Sequence, residues 1–197
     1  MPTKWKLRQY FRQILQHIPH VYREQSAQKA AHIFVQQPEF QHSQTIAIYL
    51  AYRDEFDSAP LIEQIWRAKK RCYLPILDAD QKILSFVEYA YGDPLQRNQF
   101  KILEPRNRDQ IIDINRLDCI IAPLIAFDLT GNRLGTGGGY YDRTLAKSSW
   151  QKGSNKIIGL GFAAQCAEQI PNDPWDISLD AVITEQKFVR FVVKDAK

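Results

Sequence analysis

The residues best suited to chemistry lie in one glycine-rich segment, residues 135–139, which leads directly into Tyr-Tyr-Asp-Arg at 140–143. Five of the nine glycines fall between residues 131 and 139, after the most apolar run of the chain and before a helical pattern. Glycine permits positive φ angles and lacks a Cβ atom, so consecutive backbone N–H groups can converge on an anion, and a following helix adds its positive end. This glycine loop therefore predicts a site for nucleotide phosphates, although a flexible turn is the alternative on composition alone.

The glycine loop matches neither of the common phosphate-binding fingerprints. Its glycines lack the spacing of a dinucleotide-binding turn, and no Gly-Lys-Ser or Gly-Lys-Thr sequence is present for a P-loop. Asp142 follows the loop closely, and its carboxylate is suited to a Mg²⁺ ion that bridges phosphate oxygens. An equally good explanation is that Asp142 stabilises the start of a helix.

The histidines and cysteines narrow the chemistry. All four histidines precede the first predicted strand, which disfavours a serine or cysteine hydrolase with a histidine base. Cys119 lies within an apolar run and is better interpreted as core packing than as a nucleophile. The three cysteines form no Cys-x-x-Cys pair, so we expect neither a disulfide framework nor a zinc site, and a reducing cytosol is the simplest compartment.

Positive charge is concentrated at the N-terminus. The net charge of the chain is only +4, but residues 1–30 carry six cationic side chains and one anionic. Apolar residues at spacings of four and three predict a helix over residues 4–17, on which Lys4, Arg8 and Arg12 form a basic row beside the apolar stripe. A solvated helix face is the ordinary interpretation of such a row, and a mitochondrial transit peptide is an alternative for the acid-free N-terminus.

Further along the chain, strand and helix patterns alternate. The helical spacing of apolar residues ends before residues 45–51, which form a continuous apolar run typical of a buried parallel strand. Residues 117–125 form the strongest strand pattern of the chain. We expect a single domain over residues 1–197, with a basic helix at 1–20 docked on it. The predicted fold is an α/β three-layer sandwich with a mostly parallel sheet flanked by helices, Rossmann-like without the dinucleotide fingerprint. The remaining elements predicted are helices at 24–36, 59–70 and 140–150, strands at 71–74, 83–89, 156–161 and 180–183, and a long surface connection at 91–115.

Several segments together resemble the 5-formyltetrahydrofolate cyclo-ligase family, also called 5,10-methenyltetrahydrofolate synthetase. The most specific is APLIAFDLTGNRLGTGGGYYDR at residues 122–143. The N-terminal Lys-x-x-Leu-Arg at 4–8, IYLAYRDE at 48–55 and LDAV at 179–182 also resemble family patterns. The resemblance covers nearly the whole chain.

This resemblance implies roles for individual residues. Tyr140 and Arg143 would be catalytic, and Asp142 and Asp180 would be magnesium ligands. The folate pocket would be lined by Leu50, Glu55, Phe100 and residues 136–140, with Phe100 covering the pterin region. ATP would be bound by Lys4, Leu7, Arg8, Arg133, Leu134, Gly135, Thr136, Gly137, Gly138, Gly139, Tyr140 and Tyr141. Some relatives carry Arg and Lys at the positions of Thr136 and Gly138, so other cations of this chain would supply that charge.

The implied reaction suits a site without a histidine base. The formyl oxygen of 5-formyltetrahydrofolate attacks the γ-phosphate of ATP, N10 adds to the activated carbon, and phosphate departs to leave 5,10-methenyltetrahydrofolate. Positioning and charge neutralisation by donors, cations and Mg²⁺ do most of this work. We expect a cytoplasmic monomer that acts on small molecules, including polyglutamylated folates, and binds neither nucleic acid nor membrane. The alternatives are a sugar-phosphate isomerase or kinase and a nucleotide- or RNA-binding module.

Overall fold

The computed structural model describes residues 2–78, 80–148 and 155–191. Its helices are α1 (Lys4–Gln16), α2 (His20–Val35), α3 (Pro38–His42), α4 (Ala59–Arg67) and α5 (Tyr140–Ala146). Its strands are β1 (Thr45–Ala47), β2 (Arg71–Asp78), β3 (Ile83–Glu88), β4 (Leu95–Arg97), β5 (Leu103–Pro105), β6 (Ile111–Ile112), β7 (Cys119–Pro123), β8 (Ala126–Phe127), β9 (Arg133–Leu134), β10 (Lys156–Leu160), β11 (Ala181–Ile183) and β12 (Phe188–Arg190). Within this part of the chain, no helix is long and apolar enough to cross a membrane.

The centre of the fold is an eight-stranded sheet in the order β12-β11-β10-β7-β1-β2-β3-β6. The five inner strands from β11 to β2 run parallel, and β12, β3 and β6 pair antiparallel at the edges. Two separate hairpins, β4-β5 and β8-β9, lie outside this sheet. The predicted α/β fold with a mostly parallel sheet is confirmed.

Two apolar clusters pack on the sheet. One contains the buried faces of α1, α2 and α4, and the other contains Leu145 of α5. Phe11 and Leu15 of α1 are almost fully buried, so this helix packs into the core and its basic row is held in a fixed place. Thr3 caps α1 by accepting the Lys6 N–H with its side chain, which fixes the start of the helix at Lys4.

The structure corrects several predicted boundaries. Helix α2 begins at His20 rather than residue 24, α4 ends at Arg67, and β1 ends at Ala47, although the Ile48 N–H still donates to the Tyr73 oxygen of β2. Residues 91–115 are not a structureless connection, since they contain the β4-β5 hairpin and β6. Helix α5 ends at Ala146, and the predicted end at residue 150 lies outside the described residues. The hairpins and β12 were missed because two- or three-residue strands carry too little periodicity.

Candidate active site

A cavity of about 500 Å³ lies at the carboxyl ends of the parallel strands. Its floor follows β1 and β7, its walls come from the glycine loop and α5, and one end is closed by the N-terminal basic row. This is the edge at which open α/β sheets bind their ligands. The residues that line it and belong to the predicted site are Lys4, Arg8, Leu50, Glu55, Arg133, Leu134, the glycine loop, Tyr140, Tyr141, Asp142 and Arg143.

The glycine loop turns its carbonyl groups towards arginines. The Arg8 Nε donates to the Gly135 oxygen at 2.9 Å, Arg12 reaches the Thr136 oxygen at 3.5 Å, and Arg143 donates to the Gly138 oxygen. Because these carbonyls are occupied, the backbone N–H groups of residues 136–139 are the polar groups left for a ligand. They find no acceptor among the described residues.

Two glycines give the loop its shape. Gly137 has φ +109° and Gly139 has φ +65°, which L side chains rarely adopt. A Cβ atom at Gly139 would also lie 2.7 Å from Arg143 Nη1. The loop therefore needs glycine at these positions for conformation and for close approach of the guanidinium behind it.

The basic row of α1 faces the glycine loop. Burial lowers the pKa of Arg8, and the neighbouring charge of Arg12 lowers it further. A guanidinium nevertheless stays ionised in proteins. Arg8 forms no salt bridge with a carboxylate among the described residues. Lys4 instead pairs with Asp173 at 2.7 Å and with Asp176. Burial lowers the pKa of Lys4, but the hydrogen bonds to both aspartates outweigh it and raise the pKa. Leu7 does not line the cavity, because it packs against the core on the inner side of α1.

Glu55 supplies a buried carboxyl to the opposite part of the cavity. Burial raises its pKa to about 7, against a smaller lowering by the hydrogen bond from the Tyr52 N–H at 3.0 Å. The loop that carries Glu55 is held by the Tyr49 hydroxyl, which donates to the Phe56 oxygen, and by Ser58, which donates to the Tyr49 oxygen. The second oxygen of Glu55 accepts no hydrogen bond from the described residues, so it is available to a donor in the cavity.

Asp142 lines the cavity, but its first partner is a buried arginine. Arg133 Nη2 lies 2.6 Å from Asp142 Oδ1, and the same oxygen accepts the Ile177 N–H at 3.1 Å. The other guanidinium nitrogen of Arg133 donates to the Ile177 oxygen. Arg133 therefore fixes Asp142 to the segment before β11, and its side chain is only 5% exposed.

The structure does not bring Asp180 to the cavity. Asp180 precedes β11 and accepts the Ile157 N–H at 2.8 Å, so it lies at the amino ends of the parallel strands, across the sheet from Asp142. The structure therefore does not bring Asp142 and Asp180 together, and a role of Asp180 as a magnesium ligand stays a prediction. Asp173 and Asp176, which sequence reasoning missed, line the cavity instead. Their signal was an acidic, proline-punctuated run, PNDPWD at 171–176, just before a strand.

The aromatic residues stand at the mouth. Tyr140 lines the cavity, and the Phe100 ring meets it edge to face with centroids 6.4 Å apart. Phe100 itself is 47% exposed. Arg143 lies over the Tyr140 ring at 5.4 Å and donates to the Lys82 oxygen at 2.9 Å. Arg143 is thus bound to the backbone on both sides of the mouth and holds the glycine loop in place. Tyr141 faces Glu55, and burial followed by the charge of that carboxylate raises its pKa.

The remaining wall is apolar and was not predicted. It is formed by Pro75, Leu77, Leu84, Ile102 and Leu103, from β2, β3 and the β4-β5 hairpin. This wall supplies apolar side chains against which a flat aromatic ligand could pack, whereas the glycine loop supplies mainly backbone polar groups.

Carboxylates that line the cavity are of the ligand type that Mg²⁺ uses together with phosphate oxygens. No cluster of three or more His, Cys, Asp or Glu side chains that could hold a metal occurs in the described ranges. Mg²⁺ commonly uses only one or two carboxylates together with phosphate oxygens and water. Asp142 and Asp176 supply such oxygens on adjoining walls, joined through the bond from Asp142 to the backbone of Ile177.

A sequence model of the 5-formyltetrahydrofolate cyclo-ligase family matches residues 1–185. The chain belongs to the 5-formyltetrahydrofolate cyclo-ligase family. Among curated relatives, the 5-formyltetrahydrofolate cyclo-ligase of Escherichia coli K12 is 40% identical over 166 residues, which are 83% of this chain and 90% of that protein. The cyclo-ligase of Haemophilus influenzae is 39% identical over 158 residues, 79% of this chain and 82% of the relative.

Solved structures agree with this family. The 5,10-methenyltetrahydrofolate synthetase of Aquifex aeolicus superposes with a TM-score of 0.82 at 28% identity, covering 98% of this chain and 94% of the other. The synthetase of Mycoplasma pneumoniae gives a TM-score of 0.72 at 24% identity, covering 92% and 98%, and supports the fold alone. The cyclo-ligase fold therefore extends over essentially the whole described chain.

Proposed function

We propose that this chain catalyses the ATP-dependent conversion of 5-formyltetrahydrofolate to 5,10-methenyltetrahydrofolate, with release of ADP and phosphate. The family membership gives the reaction class, and the relatives named above carry the same activity in their names. One observation within the cavity carries the assignment. A loop of backbone N–H groups without acceptors and the carboxyl of Glu55, with one oxygen free of hydrogen bonds from the described residues, share a single cavity, as an anion site and a heterocycle site would.

The triphosphate is assigned to the glycine loop and the basic row. The N–H groups of residues 136–139 have no acceptor among the described residues, and three of the loop carbonyls accept hydrogen bonds from Arg8, Arg12 and Arg143. Because the guanidiniums fix the loop before any ligand arrives, the donors need no rearrangement as charge develops on the transferring phosphoryl group. Lys4 and Arg8 add positive charge at the same end of the cavity.

The folate is assigned to the end that contains Glu55. The carboxylate accepts N–H groups of the pterin ring, Leu50 and the apolar wall pack on the ring system, and Phe100 with Tyr140 covers it at the mouth. This arrangement brings the formyl oxygen towards the γ-phosphate across the glycine loop. Holding the two substrates in one cavity converts a bimolecular reaction into a step within a complex, which supplies much of the rate enhancement.

The reaction then needs little covalent help from the protein. The formyl oxygen forms a bond to the γ-phosphorus as the bond to ADP breaks, and N10 adds to the formyl carbon. The N10 proton and the phosphate are then lost. Tyr140 and Arg143 are proposed to act at this point, with the Tyr140 ring against the folate and the Arg143 charge beside the loop.

Asp142 and Asp176 are proposed to hold Mg²⁺, and Asp173 lies beside them. When bound, Mg²⁺ would neutralise charge on the phosphate oxygens. The Asp142 carboxylate is held in one orientation, because one of its oxygens accepts hydrogen bonds from Arg133 and from the Ile177 N–H. A monomeric, cytoplasmic enzyme that accepts folates with or without a polyglutamate tail completes the proposal.

The test is spectroscopic. Protein is mixed with ATP, MgCl₂ and 5-formyltetrahydrofolate, and the near-ultraviolet absorbance of the methenyl product is followed together with ADP release. We expect both signals in a one-to-one ratio and neither without ATP. ADP release that does not depend on 5-formyltetrahydrofolate, without absorbance change, would refute the proposed function.

A further inference from the structure

The β4-β5 hairpin covers the apolar part of the cavity. Its turn, residues 98–102, carries Phe100, whose ring meets Tyr140, and Ile102, which lines the wall. The turn residue Lys101 has a left-handed backbone with φ +62°, and the base is closed by the Arg106 N–H, which donates to the Pro94 oxygen at 3.0 Å. The hairpin is outside the main sheet, so no strand pairing with that sheet fixes the position of this turn.

One asparagine organises the turn. The Asn98 side-chain oxygen accepts the Phe100 N–H at 2.9 Å and the Ile102 N–H at 3.1 Å. The Asn98 amide nitrogen donates to Glu104 Oε2 at 3.3 Å. Both ends of the Asn98 side chain are therefore committed to the protein, although it lies at the cavity wall.

A buried carboxylate ties the same turn to the sheet. The Glu104 side chain is 3% exposed, and its Oε2 also accepts the Leu77 N–H of β2 at 3.4 Å. Its Oε1 pairs with Arg108 at 2.5 Å. Leu77 belongs to the cavity wall, so one chain of hydrogen bonds runs from β2 through Glu104 and Asn98 to the backbone of Phe100. A buried carboxylate is retained at a cost in desolvation and is kept where its bonds specify one arrangement.

We propose that Asn98 and Glu104 are positioning residues that hold the hairpin as a roof over the folate and so determine folate affinity. They act through the backbone of residues 100–102 and take no part in phosphoryl transfer. This inference rests on the proposed function, because it names the substrate under the roof. It predicts that the two substrates are affected differently. The hydrogen-bond chain reaches the apolar wall and the backbone of Phe100, whose ring contacts Tyr140, but it does not reach the basic row.

The experiment measures KM for each substrate, kcat, and the Kd of 5-formyltetrahydrofolate without ATP by calorimetry. Asn98→Ala should raise KM and Kd for folate about five- to tenfold, the usual effect of losing a small hydrogen-bond network, with KM for ATP unchanged. Phe100→Ala, a change at an exposed side chain, should raise them similarly. The double variant should be little worse than either single one, because both changes remove the same roof.

A control and an exchange sharpen the test. Asn107 makes the same type of turn bond, to the Asp109 N–H at 2.9 Å, but lies outside the cavity, so Asn107→Ala should leave all constants unchanged. Asn98→Asp places a carboxylate opposite Glu104 and should weaken folate binding. Asn98→Asp combined with Glu104→Gln exchanges donor and acceptor between the two positions. It should recover part of the affinity, because the new amide can donate to residue 98 but no longer accepts the Leu77 N–H.

The outcomes separate this inference from the proposed function. If the wild-type protein forms methenyltetrahydrofolate but folded Asn98→Ala and Phe100→Ala variants keep the wild-type folate Kd, the roof is refuted and the function stands. An equal rise in KM for ATP, or additive effects in the double variant, would also overturn it. If the wild-type protein forms no product and does not bind 5-formyltetrahydrofolate, the proposed function itself fails.

Discussion

In the proposed folate complex, the raised pKa of Glu55 makes folate binding depend on pH in a way that can be calculated. Burial raises this pKa from 4.5 to about 7. The pterin offers N–H donors, so it binds the ionised carboxylate and not the protonated one. The ionised fraction of a group with a pKa of about 7 is roughly 0.9 at pH 8 and roughly 0.1 at pH 6. We therefore expect KM for 5-formyltetrahydrofolate to rise about tenfold between pH 8 and pH 6.

Glu55→Gln is the matching perturbation. The amide keeps the volume and one acceptor oxygen but cannot ionise, so KM for folate should be high at all pH values and flat between pH 6 and pH 8. The assay is the initial rate of methenyl product formation at saturating ATP, with KM for ATP measured over the same range as the control. A wild-type KM for folate that stays constant, or an equal pH dependence in Glu55→Gln, would refute the reasoning.

The same carboxyl affects stability without any substrate. Because its pKa in the folded protein lies above the ordinary 4.5, ionised Glu55 destabilises the fold at pH values above 4.5, and the cost levels off above about pH 7. A pKa difference of about 2.5 corresponds to on the order of 3 kcal/mol at most. Glu55→Gln should thus raise Tm at pH 8 and change it little at pH 4. A lower Tm for the variant at pH 8 would contradict a desolvated carboxylate.

Three further predictions concern the phosphate end of the cavity. Asp142→Asn should lower turnover at least tenfold and raise the Mg²⁺ concentration needed for half-maximal rate; unimpaired turnover would remove this carboxylate from the metal site. Arg8→Ala should raise KM for ATP about tenfold while Lys6→Ala, at an exposed position of the same helix, leaves it unchanged; equal effects would indicate only a general charge contribution. Gly137→Ala and Gly92→Ala each place a side chain on a residue with positive φ, so each should lower the free energy of unfolding by about 1–2 kcal/mol. Only Gly137→Ala should abolish activity. An active Gly137→Ala variant would contradict the role of the loop.

The sequence predicted those parts of the fold that repeat a pattern. The apolar runs at β1 and β7 indicated buried parallel strands, and a glycine loop after β7 indicated a site at their carboxyl ends. Apolar periodicity on α1 also placed Lys4 and Arg8 on one face, which the structure turns to the loop. Each of these signals lies within a few neighbouring residues, where propensity and spacing are informative.

What the sequence missed depends on contacts between distant segments. Lys4 meets Asp173 and Asp176 across nearly the whole length of the chain, and no local pattern marks those aspartates as part of the site. Asp180 lies only four residues after Asp176, but it is at the amino ends of the parallel strands, whereas Asp176 lines the cavity at their carboxyl ends. The β4-β5 hairpin was hidden by polar residues in short strands, although its Phe100 was expected at the pterin.

The arginines and the lysine around the glycine loop have different tasks. The loop carbonyl oxygens accept hydrogen bonds from three arginines, Arg8, Arg12 and Arg143. A planar guanidinium has several donors in a fixed geometry, so it suits this task better than an ammonium group. They thereby hold the backbone N–H groups in place for the phosphates of the proposed ATP complex. Lys4 is held by two carboxylates that also suit a metal ion. A single flexible ammonium can change partners without disturbing the loop, whereas loss of a guanidinium would release the carbonyl that it holds. The site therefore combines a loop of backbone amides, whose carbonyl groups are held by arginines, with the Lys4 ammonium, which can exchange partners at one end.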